Sequence, residues 1–266
     1  MQIYRIKGDR AVNGCESYAE TPHGRLRYDL LSYHYKKLVQ SNNISHYVDI
    51  GGGNGLLAER LMKVFPDLQV TFFDDDAGMV ARAKELLKDF EDQGRVSISQ
   101  CSVLDTEKME YLIGQTNSKT LFGFNHVIEY VEDKQSALQN ILAILREDAL
   151  LGIMYLNNSC EALRKILFKD LVAGVTEQLE QKKVNMGHFG LAEAVDTEWL
   201  DDFMDRAELR LISRYGLRCL SDFKSPDFVS ENYDAIFDLE CHVGGKPDFM
   251  GFSRYRLNFY SYQYNG

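Results

Sequence analysis

The stretch Val48-Asp49-Ile50-Gly51-Gly52-Gly53-Asn54-Gly55-Leu56 decides the fold. Its apolar start predicts a buried strand, and the pattern after the glycines predicts a helix over residues 56–65. Glycines at such a junction let the backbone turn sharply and lie flat against a ligand at the carboxyl edge of a parallel sheet. We therefore expect a ligand to bind at this turn.

The composition of the 266-residue chain is that of one globular domain, which we expect to span residues 1–266. The formal net charge of −10 argues against a general nucleic-acid coat, although a local basic patch could still engage RNA. Five cysteines without C-x-x-C spacing predict neither a zinc site nor a disulfide framework, so we expect no metal. No stretch is apolar enough for a membrane helix or a signal peptide, which predicts a cytoplasmic protein.

Strand and helix alternate through the middle of the chain. Strands are predicted at residues 47–50, 69–73, 96–100, 120–124 and 150–156, and helices at 25–39, 56–65, 78–90 and 134–145. Such alternation implies right-handed crossovers and a parallel sheet covered by helices on both faces. Ligands then bind at the carboxyl edge of that sheet.

The pattern changes after Asn157. A long amphipathic helix is predicted over 159–179, followed by a polar stretch through 187–190. A helix at 197–207, a strand at 210–215, a helix at 228–241 and a last strand at 255–262 return to the earlier rhythm. Residues 159–195 are therefore interpreted as a lid or insertion over the carboxyl edge, whereas residues 1–24 show no clear period.

The acidic residue before the glycines distinguishes this turn from a dinucleotide site. The spacing Asp49-x-Gly51-x-Gly53-x-Gly55 leaves no spaced G-x-G-x-x-G. A carboxylate at this position would repel a pyrophosphate but could bind the cationic amino group of a methionine moiety, directly or through water. The turn, with Gly52, therefore favours S-adenosylmethionine (SAM) as the cofactor over a dinucleotide.

Three aspartates end the second strand. Asp74 lies about 20 residues after the turn, where an acid can accept both ribose hydroxyls. Asp75 and Asp76 suit the turn and the cap of the next helix, and the alternative is that all three only cap that helix. Met79, on the first turn of the helix, is a candidate for the adenine face, although methionine at this spacing is also typical of a core.

Polar residues also follow the third and fourth strands. After the third, Ser102 and Val103 are candidates to contact the adenine edge through a short side chain and a backbone amide. After the fourth, Asn125 and His126 interrupt an apolar run, and we expect them to face the ligand or the reacting group.

These three motifs resemble, in order and separation, those of class I SAM-dependent methyltransferases. Across nearly the whole chain the sequence looks most like the branch containing the bacterial tRNA methyltransferase that esterifies 5-carboxymethoxyuridine at the wobble position. The further shared features are Gly24-Arg25-Leu26-Arg27, Asn157, Leu171-Val172-Ala173-Gly174, Gly216-Leu217-Arg218 with Asp222, the helix at 233–240, and Arg254-Tyr255. Asn125 stands where we expect a histidine in that branch.

The resemblance implies a Rossmann-like, seven-stranded α/β sheet, mostly parallel with an antiparallel last strand, plus a helical lid. It also implies that Arg27 binds the cofactor carboxylate. The other cofactor residues that it implies are Gly51, Gly52, Asp74, Val103 and Asn125.

The chemical class of the methyl acceptor determines which side chains the reaction requires. A carboxylate is already ionised near neutral pH and needs no general base, so cationic or hydrogen-bonding residues should surround it: Arg218, Tyr155, Asn157 and Arg254. A phenol, hydroxyl or amine would need a base, and His126 is the best-placed histidine. Alternatively, Arg218 is a structural pair at a strand end and His126 a structural hydrogen-bonding group.

Three functions therefore stay open. The first is methylation of a tRNA carboxylate, which the resemblance and the cations Arg164, Lys165 and Lys169 favour; the alternative role of these cations is to solvate a helix face. The second is O- or N-methylation of a small molecule. The third is a non-catalytic SAM-binding protein, against which the intact Asp49, Asp74 and glycines argue.

Overall fold

The computed structural model describes residues 9–114, 118–169, 172, 174–186 and 190–262. Within these residues the first five strands are β1 (His46–Ile50), β2 (Gln69–Asp74), β3 (Val96–Gln100), β4 (Thr120–Asn125) and β5 (Leu150–Leu156). The later strands are β6 (Lys183–Asn185), β7 (Leu191–Glu193), β8 (Leu209–Leu217) and β9 (Tyr255–Tyr262).

Seven of the described strands form one sheet in the order β3-β2-β1-β4-β5-β9-β8. β1 to β5 pair in parallel, whereas β9 runs antiparallel to both β5 and β8. This arrangement confirms the predicted Rossmann-like sheet, mostly parallel with an antiparallel last strand. β6 and β7 form a separate antiparallel pair.

Helices cover both faces of the sheet. The N-terminal half contributes α1 (Asp9–Glu20), α2 (Pro22–Asn42), α3 (Leu56–Met62), α4 (Ala77–Leu86), α5 (Lys88–Asp92), α6 (Thr106–Ile113) and α7 (Lys134–Ile144). The rest of the described chain contributes α8 (Asn158–Lys169), α9 (Val175–Gln181), α10 (Thr197–Arg206), α11 (Pro226–Glu231), α12 (Tyr233–Val243) and α13 (Pro247–Met250). No helix in the described ranges is long and apolar enough to cross a membrane.

The prediction of one long helix over 159–179 is wrong. Two helices, α8 and α9, occupy this region, and Gly174 before α9 has a φ of 81°, a left-handed value that ends helical geometry. Residues 170, 171, 173 and 187–189 of the predicted lid lie outside the described residues, so the lid role of 159–195 stays a prediction.

Two other predicted helices are each divided. The helix predicted over 78–90 is α4 and α5, separated at Leu87, and the helix predicted over 228–241 is α11 and α12, separated at Asn232. The absence of a predicted element before residue 25 is also wrong, because α1 lies there and packs against α2 and α4. A helix of this length depends on such packing more than on its own sequence pattern.

The strand register brings the three predicted motifs to one edge. Ile50 of β1 is paired with Phe73 of β2 and with Phe124 of β4. Because these strands are parallel, the residues that follow them leave the sheet on the same side. The glycine turn, Asp74 and Asn125 therefore meet at the carboxyl edge.

Candidate cofactor and acceptor site

A cleft of about 810 Å³ opens at the carboxyl ends of β1 and β4. The predicted residues that line it are Arg27, Asp49, Gly51, Gly52, Gly53, Met79, Asn125 and His126. A neighbouring cleft of about 640 Å³ shares Gly51, Val127 and Tyr130 with it and is lined by Asp75, Ser102 and Val103. The two clefts together bring most of the predicted cofactor residues into one region.

The glycine turn approaches its neighbours too closely for side chains. A Cβ on Gly52 would lie 2.2 Å from Cε2 of Phe72, and one on Gly51 would lie 2.6 Å from Cγ2 of Val127. Gly53 has a φ of 62° and would meet nothing within 4 Å. The backbone at Gly53 therefore lies bare beside open space, as a ligand cradle requires.

Asp49 is a buried carboxyl group in the wall of the cleft. Its Oδ1 accepts a hydrogen bond from the Tyr47 hydroxyl at 2.9 Å, and no described residue donates to its Oδ2. Burial raises the pKa of Asp49 to about 7, although the hydrogen bond from Tyr47 opposes the shift. A cation that pairs with Oδ2 would favour the ionised form.

Arg27 is a buried cation in the same wall. Its guanidinium lies over the rings of Tyr28 and Tyr18, 4.5 and 4.7 Å from their centroids. Among the described residues no carboxylate pairs with it, and its Nε has no hydrogen-bond partner. A buried guanidinium in contact only with aromatic rings is suited to bind an anionic ligand.

Asp74 fixes the conformation of the glycine turn by accepting backbone hydrogen bonds. Its side chain is completely buried, Oδ2 accepts a hydrogen bond from the Gly53 N–H at 3.0 Å, and Oδ1 accepts one from the Asp76 N–H at 2.9 Å. Asp74 lines neither cleft. The structure thus shows a capping role for Asp74, and contact with a ribose remains a prediction. The capping prediction for Asp76 is confirmed, since its Oδ1 accepts from Gly78 N at 2.7 Å at the start of α4.

Asn125 and His126 end β4 at the cleft, as the sequence predicts. Oδ1 of Asn125 accepts a hydrogen bond from the Tyr35 hydroxyl at 3.0 Å, while its Nδ2 has no partner among the described residues. His126 has a left-handed backbone, with a φ of 58°, and its Nδ1 lies 3.0 Å from Oε1 of Glu129. The same buried oxygen accepts the Leu156 N–H at 2.6 Å, which ties His126 to the end of β5.

Tyr155 and Asn157 are held elsewhere. Met154 lines the cleft, and because successive residues of a strand face opposite sides of the sheet, the Tyr155 side chain lies in the core on the far face. Its hydroxyl donates to Thr197 Oγ1 at 3.2 Å. Nδ2 of Asn157 donates to three backbone carbonyls, of which Ser253 is nearest at 2.8 Å. We therefore leave both residues out of the proposed site.

Arg218 lies one layer behind the cleft rather than in its wall. Its Nη1 donates to the Tyr18 hydroxyl, and its Nη2 forms an ion pair with Asp222. Its guanidinium lies 5.9 Å from the Tyr255 ring centroid, and that of Arg27 lies 5.7 Å from the same centroid. Arg218 thus adjoins the cleft through Tyr18 and Tyr255.

Arg218 and Arg27 belong to a group in which arginines outnumber carboxylates. Arg164 donates to Oδ2 of Asp222 at 2.7 Å, and Arg254 forms ion pairs with Asp222 and Glu161. The arginine cluster is defined as Arg27, Arg164, Arg218 and Arg254 with the carboxylates Asp222 and Glu161. Within this cluster of described residues, four cations against two anions leave a formal excess of two positive charges.

Sequence reasoning missed the residues that α1 brings to the site. Cys15 lines the cleft and packs against Met79, and Tyr18 contacts both Arg27 and Arg218. Tyr18 and Arg218 are 200 residues apart in the chain. No local pattern signals a contact of that separation, so only the folded structure reveals it.

Comparison with known families agrees with this geometry. Residues 48–151 match the model of a family described as a methyltransferase domain. These residues of the chain are therefore similar to a methyltransferase domain. The match supports the predicted class I methyltransferase and SAM as its cofactor.

The chain also has similar relatives over most of its length. It is 23% identical over 216 residues to the tRNA 5-carboxymethoxyuridine methyltransferase of Escherichia coli (strain K12), which covers 78% of this chain and 76% of the relative. This level of identity suggests the branch that the sequence resembles.

Solved structures share the fold. The chain is similar in structure to NcsB1, an O-methyltransferase from neocarzinostatin biosynthesis in complex with SAM and 2-hydroxy-5-methyl naphthoic acid, with a TM-score of 0.51 and 14% identity. That alignment covers 93% of this chain but only 60% of the NcsB1 chain. A putative sarcosine dimethylglycine methyltransferase from Galdieria sulphuraria aligns with a TM-score of 0.54 and 10% identity, covering 86% of this chain and 84% of that one.

Proposed function

We propose that this protein is a SAM-dependent methyltransferase that esterifies a carboxylate. The observation that carries the choice of acceptor is the arginine cluster, whose formal excess of two positive charges adjoins the cleft. One of these charges, on Arg27, is assigned to the cofactor. The second is left to attract an anionic acceptor.

The residues of the cleft fit the methionine end of the cofactor. An amino-acid group carries a carboxylate and an ammonium, and the cleft offers a buried cation, Arg27, and a buried carboxyl group, Asp49, each with an unpartnered polar atom. Gly51, Gly52 and Gly53 provide the bare backbone beside them. We assign Arg27 to the cofactor carboxylate and Asp49 to its amino group.

The remaining cofactor residues are assigned by their position. Asp75, Ser102 and Val103 line the neighbouring cleft and are assigned to the adenosine half, with Met79 at the junction. Asp74, at the end of β2, is assigned to the ribose as the sequence predicts. Asn125 offers its Nδ2 to the cofactor from the end of β4.

A carboxylate acceptor requires no general base from the protein. SAM supplies an electrophilic methyl group, and its transfer to a carboxylate oxygen turns a sulfonium and an anion into a neutral thioether and a neutral ester. No proton has to be removed, so the chain's own contribution is to bind, orient and exclude water. A positive field from Arg218 and Arg254 serves that purpose.

The acceptor class is tested by the stability of the product. The full-length chain is incubated with SAM carrying a labelled methyl group and with either bulk tRNA or a metabolite extract. Mild alkali hydrolyses methyl esters and releases labelled methanol, whereas methyl ethers and methylamines keep the label. We expect alkali-labile label, and alkali-stable label would overturn the carboxylate proposal.

The carrier of the carboxylate is proposed to be tRNA, which rests on the resemblance to the E. coli relative. Of the cations predicted to face tRNA, Arg164 on α8 donates instead to Oδ2 of Asp222. Filter binding of bulk tRNA should show an affinity that falls steeply with salt. Failure to bind any tRNA at low salt would exclude this carrier and leave a small carboxylate.

A second candidate function is O- or N-methylation of a small molecule. The contact of His126 with the buried Glu129 favours it, because a carboxylate that fixes an imidazole is the arrangement of a general base. Under the main proposal His126→Ala should lower kcat by less than about tenfold. A loss of about 100-fold or more, the usual effect of removing a general base, would support the second candidate.

A further inference from the structure

Tyr18 is the side chain of α1 that contacts both arginines nearest the cleft. The face of its ring lies against the Arg27 guanidinium, 4.7 Å from the ring centroid. Its hydroxyl oxygen accepts a hydrogen bond from Nη1 of Arg218. One side chain thus offers two separate electron-rich regions, the ring face and the oxygen, to two cations.

The two arginines need such a partner. Buried like charges repel strongly where water does not screen them. Asp222 pairs with Arg218, but among the described residues no carboxylate pairs with Arg27. Burial raises the pKa of Tyr18 to about 12, so its hydroxyl stays neutral at ordinary pH and does not itself cancel either charge. Tyr18 therefore places both cations without neutralising either charge.

Tyr18 also fixes α1 over the cleft. Three residues before it, Cys15 lines the cleft and packs against Met79 of α4. On the same helix, Glu16 forms an ion pair with Arg82 of α4. The contact of Tyr18 with Arg218 holds the other side of α1, at the end of β8.

We propose that Tyr18 is a positioning residue that couples the cofactor side of the site to its acceptor side. Its ring presents Arg27 to the cofactor carboxylate, and its hydroxyl holds Arg218 behind the cleft, where the positive charge attracts the acceptor carboxylate, while also holding α1 in place. This inference rests on the proposed function for the role of Arg218. It adds that one aromatic residue, outside every sequence motif, separates the two anion-binding arginines.

Two substitutions separate the contribution of the Tyr18 ring from that of its hydroxyl group. Tyr18→Phe keeps the ring against Arg27 and removes the hydroxyl, which contacts Arg218 and also hydrogen-bonds to Tyr255. Tyr18→Ala removes both. Tyr111→Phe is the matched control, because Tyr111 lies on α6 with 83% of its surface exposed.

Calorimetric SAM binding and steady-state methyl-ester formation test the inference. In Tyr18→Phe we expect SAM affinity within about twofold of wild type, the acceptor KM raised about tenfold and kcat nearly unchanged, since one hydrogen bond to a charged group is lost. In Tyr18→Ala we expect SAM affinity to fall about tenfold as well. An unchanged acceptor KM in Tyr18→Phe, or equal losses of SAM affinity in both variants, would overturn the inference.

A third measurement needs no acceptor. Iodoacetamide labelling of Cys15, followed on its peptide by mass spectrometry, reports how often α1 leaves the cleft. We expect labelling about fivefold faster in Tyr18→Phe than in wild type or Tyr111→Phe, and equal rates would contradict the role of the hydroxyl. If the wild type forms no methyl ester, the proposed function fails, and the labelling and SAM measurements still decide whether Tyr18 holds the site together.

Discussion

Arg27 and Asp49 line one cleft with opposite charges, and each keeps a polar atom without a partner in the described chain, Nε of Arg27 and Oδ2 of Asp49. Both side chains are at least nine-tenths buried, with exposures of 5% and 2%. Unpaired buried polar groups destabilise a fold unless a ligand satisfies them. A zwitterionic amino-acid group satisfies both at once.

SAM affinity should rise with pH. Burial raises the pKa of Asp49 to about 7 in the free protein, so below that pH the carboxyl group is protonated and has no charge for the cofactor ammonium. Binding then releases a proton, and affinity should fall by up to tenfold for each pH unit below about pH 7. Calorimetry from about pH 5.5 to about pH 8.5 measures this, and Asp49→Asn should bind more weakly with a nearly flat profile.

Arg27→Gln should weaken SAM binding by about 1.5–3 kcal/mol, the usual contribution of a hydrogen bond to a charged group. Arg25→Gln is the matched control, because Arg25 lies on the same helix with 65% of its side chain exposed. Its ion pair with Asp29 is a surface one and should contribute little. Equal affinities for the two variants in calorimetry would contradict the assignment of Arg27 to the cofactor.

Gly53→Ala should reduce SAM affinity more than it reduces stability. A Cβ there meets nothing within 4 Å, so the folded protein loses only about 1–2 kcal/mol for a left-handed alanine, while the methyl group enters the space left for the cofactor. Gly94→Ala is the control, because Gly94 has a similar φ of 69° and equally open space outside the cleft. The midpoint temperature of thermal unfolding should fall by the same amount in both variants, and only Gly53→Ala should lose SAM binding. Unchanged binding by Gly53→Ala would exclude close approach of the cofactor to this glycine.

Asp74→Ala should change both stability and binding. It removes the acceptors for the Gly53 and Asp76 N–H groups, which should lower the free energy of unfolding by about 1–3 kcal/mol. If Asp74 also binds the ribose, SAM affinity should fall by about 2–4 kcal/mol, the sum of two hydrogen bonds to a charged group with allowance for non-additivity.

Asp76→Ala separates the two effects of Asp74. It removes only the cap of α4 and should cost about 0.5–2 kcal/mol of stability. Its calorimetric SAM affinity should stay near that of wild type. Equal SAM affinity in Asp74→Ala and Asp76→Ala would reject the ribose assignment.

The strands of the main sheet were predictable in nearly all positions, the helices less so, and the short strands β6 and β7 were not predicted. β3, β5 and β9 begin and end where the sequence predicts, because alternating or continuous apolar residues are local signals of a strand. Helix divisions at Leu87, Gly174 and Asn232 were not predicted, since an apolar period continues across each of them. α1 was missed because part of its packing is against α4, which lies beyond β1 and β2 in the chain.

The candidate site likewise contains residues whose positions follow from the sequence and residues whose positions do not. Asp49, the glycines, Asn125 and His126 lie at the cleft, because each is at or just after the end of a strand whose direction and register the parallel sheet determines, and their roles there stay predictions. Tyr155 was placed wrongly relative to the cleft, since the sequence does not say which face of a fully buried strand meets the ligand. Arg218 was expected in the site and lies one layer behind it.

The sequence by itself determined the class of fold, the glycine turn with its acid and the order of polar residues at the sheet edge. These features depend on local periodicity and on the ability of glycine to adopt a left-handed backbone conformation. Both can be recognised in a short stretch of sequence. Only the tertiary structure decided that Arg27 has no carboxylate partner in the described chain, and that Tyr18 joins it to Arg218 across 200 residues. Such pairing depends on which side chains the folded elements bring together, and no stretch of sequence contains that information.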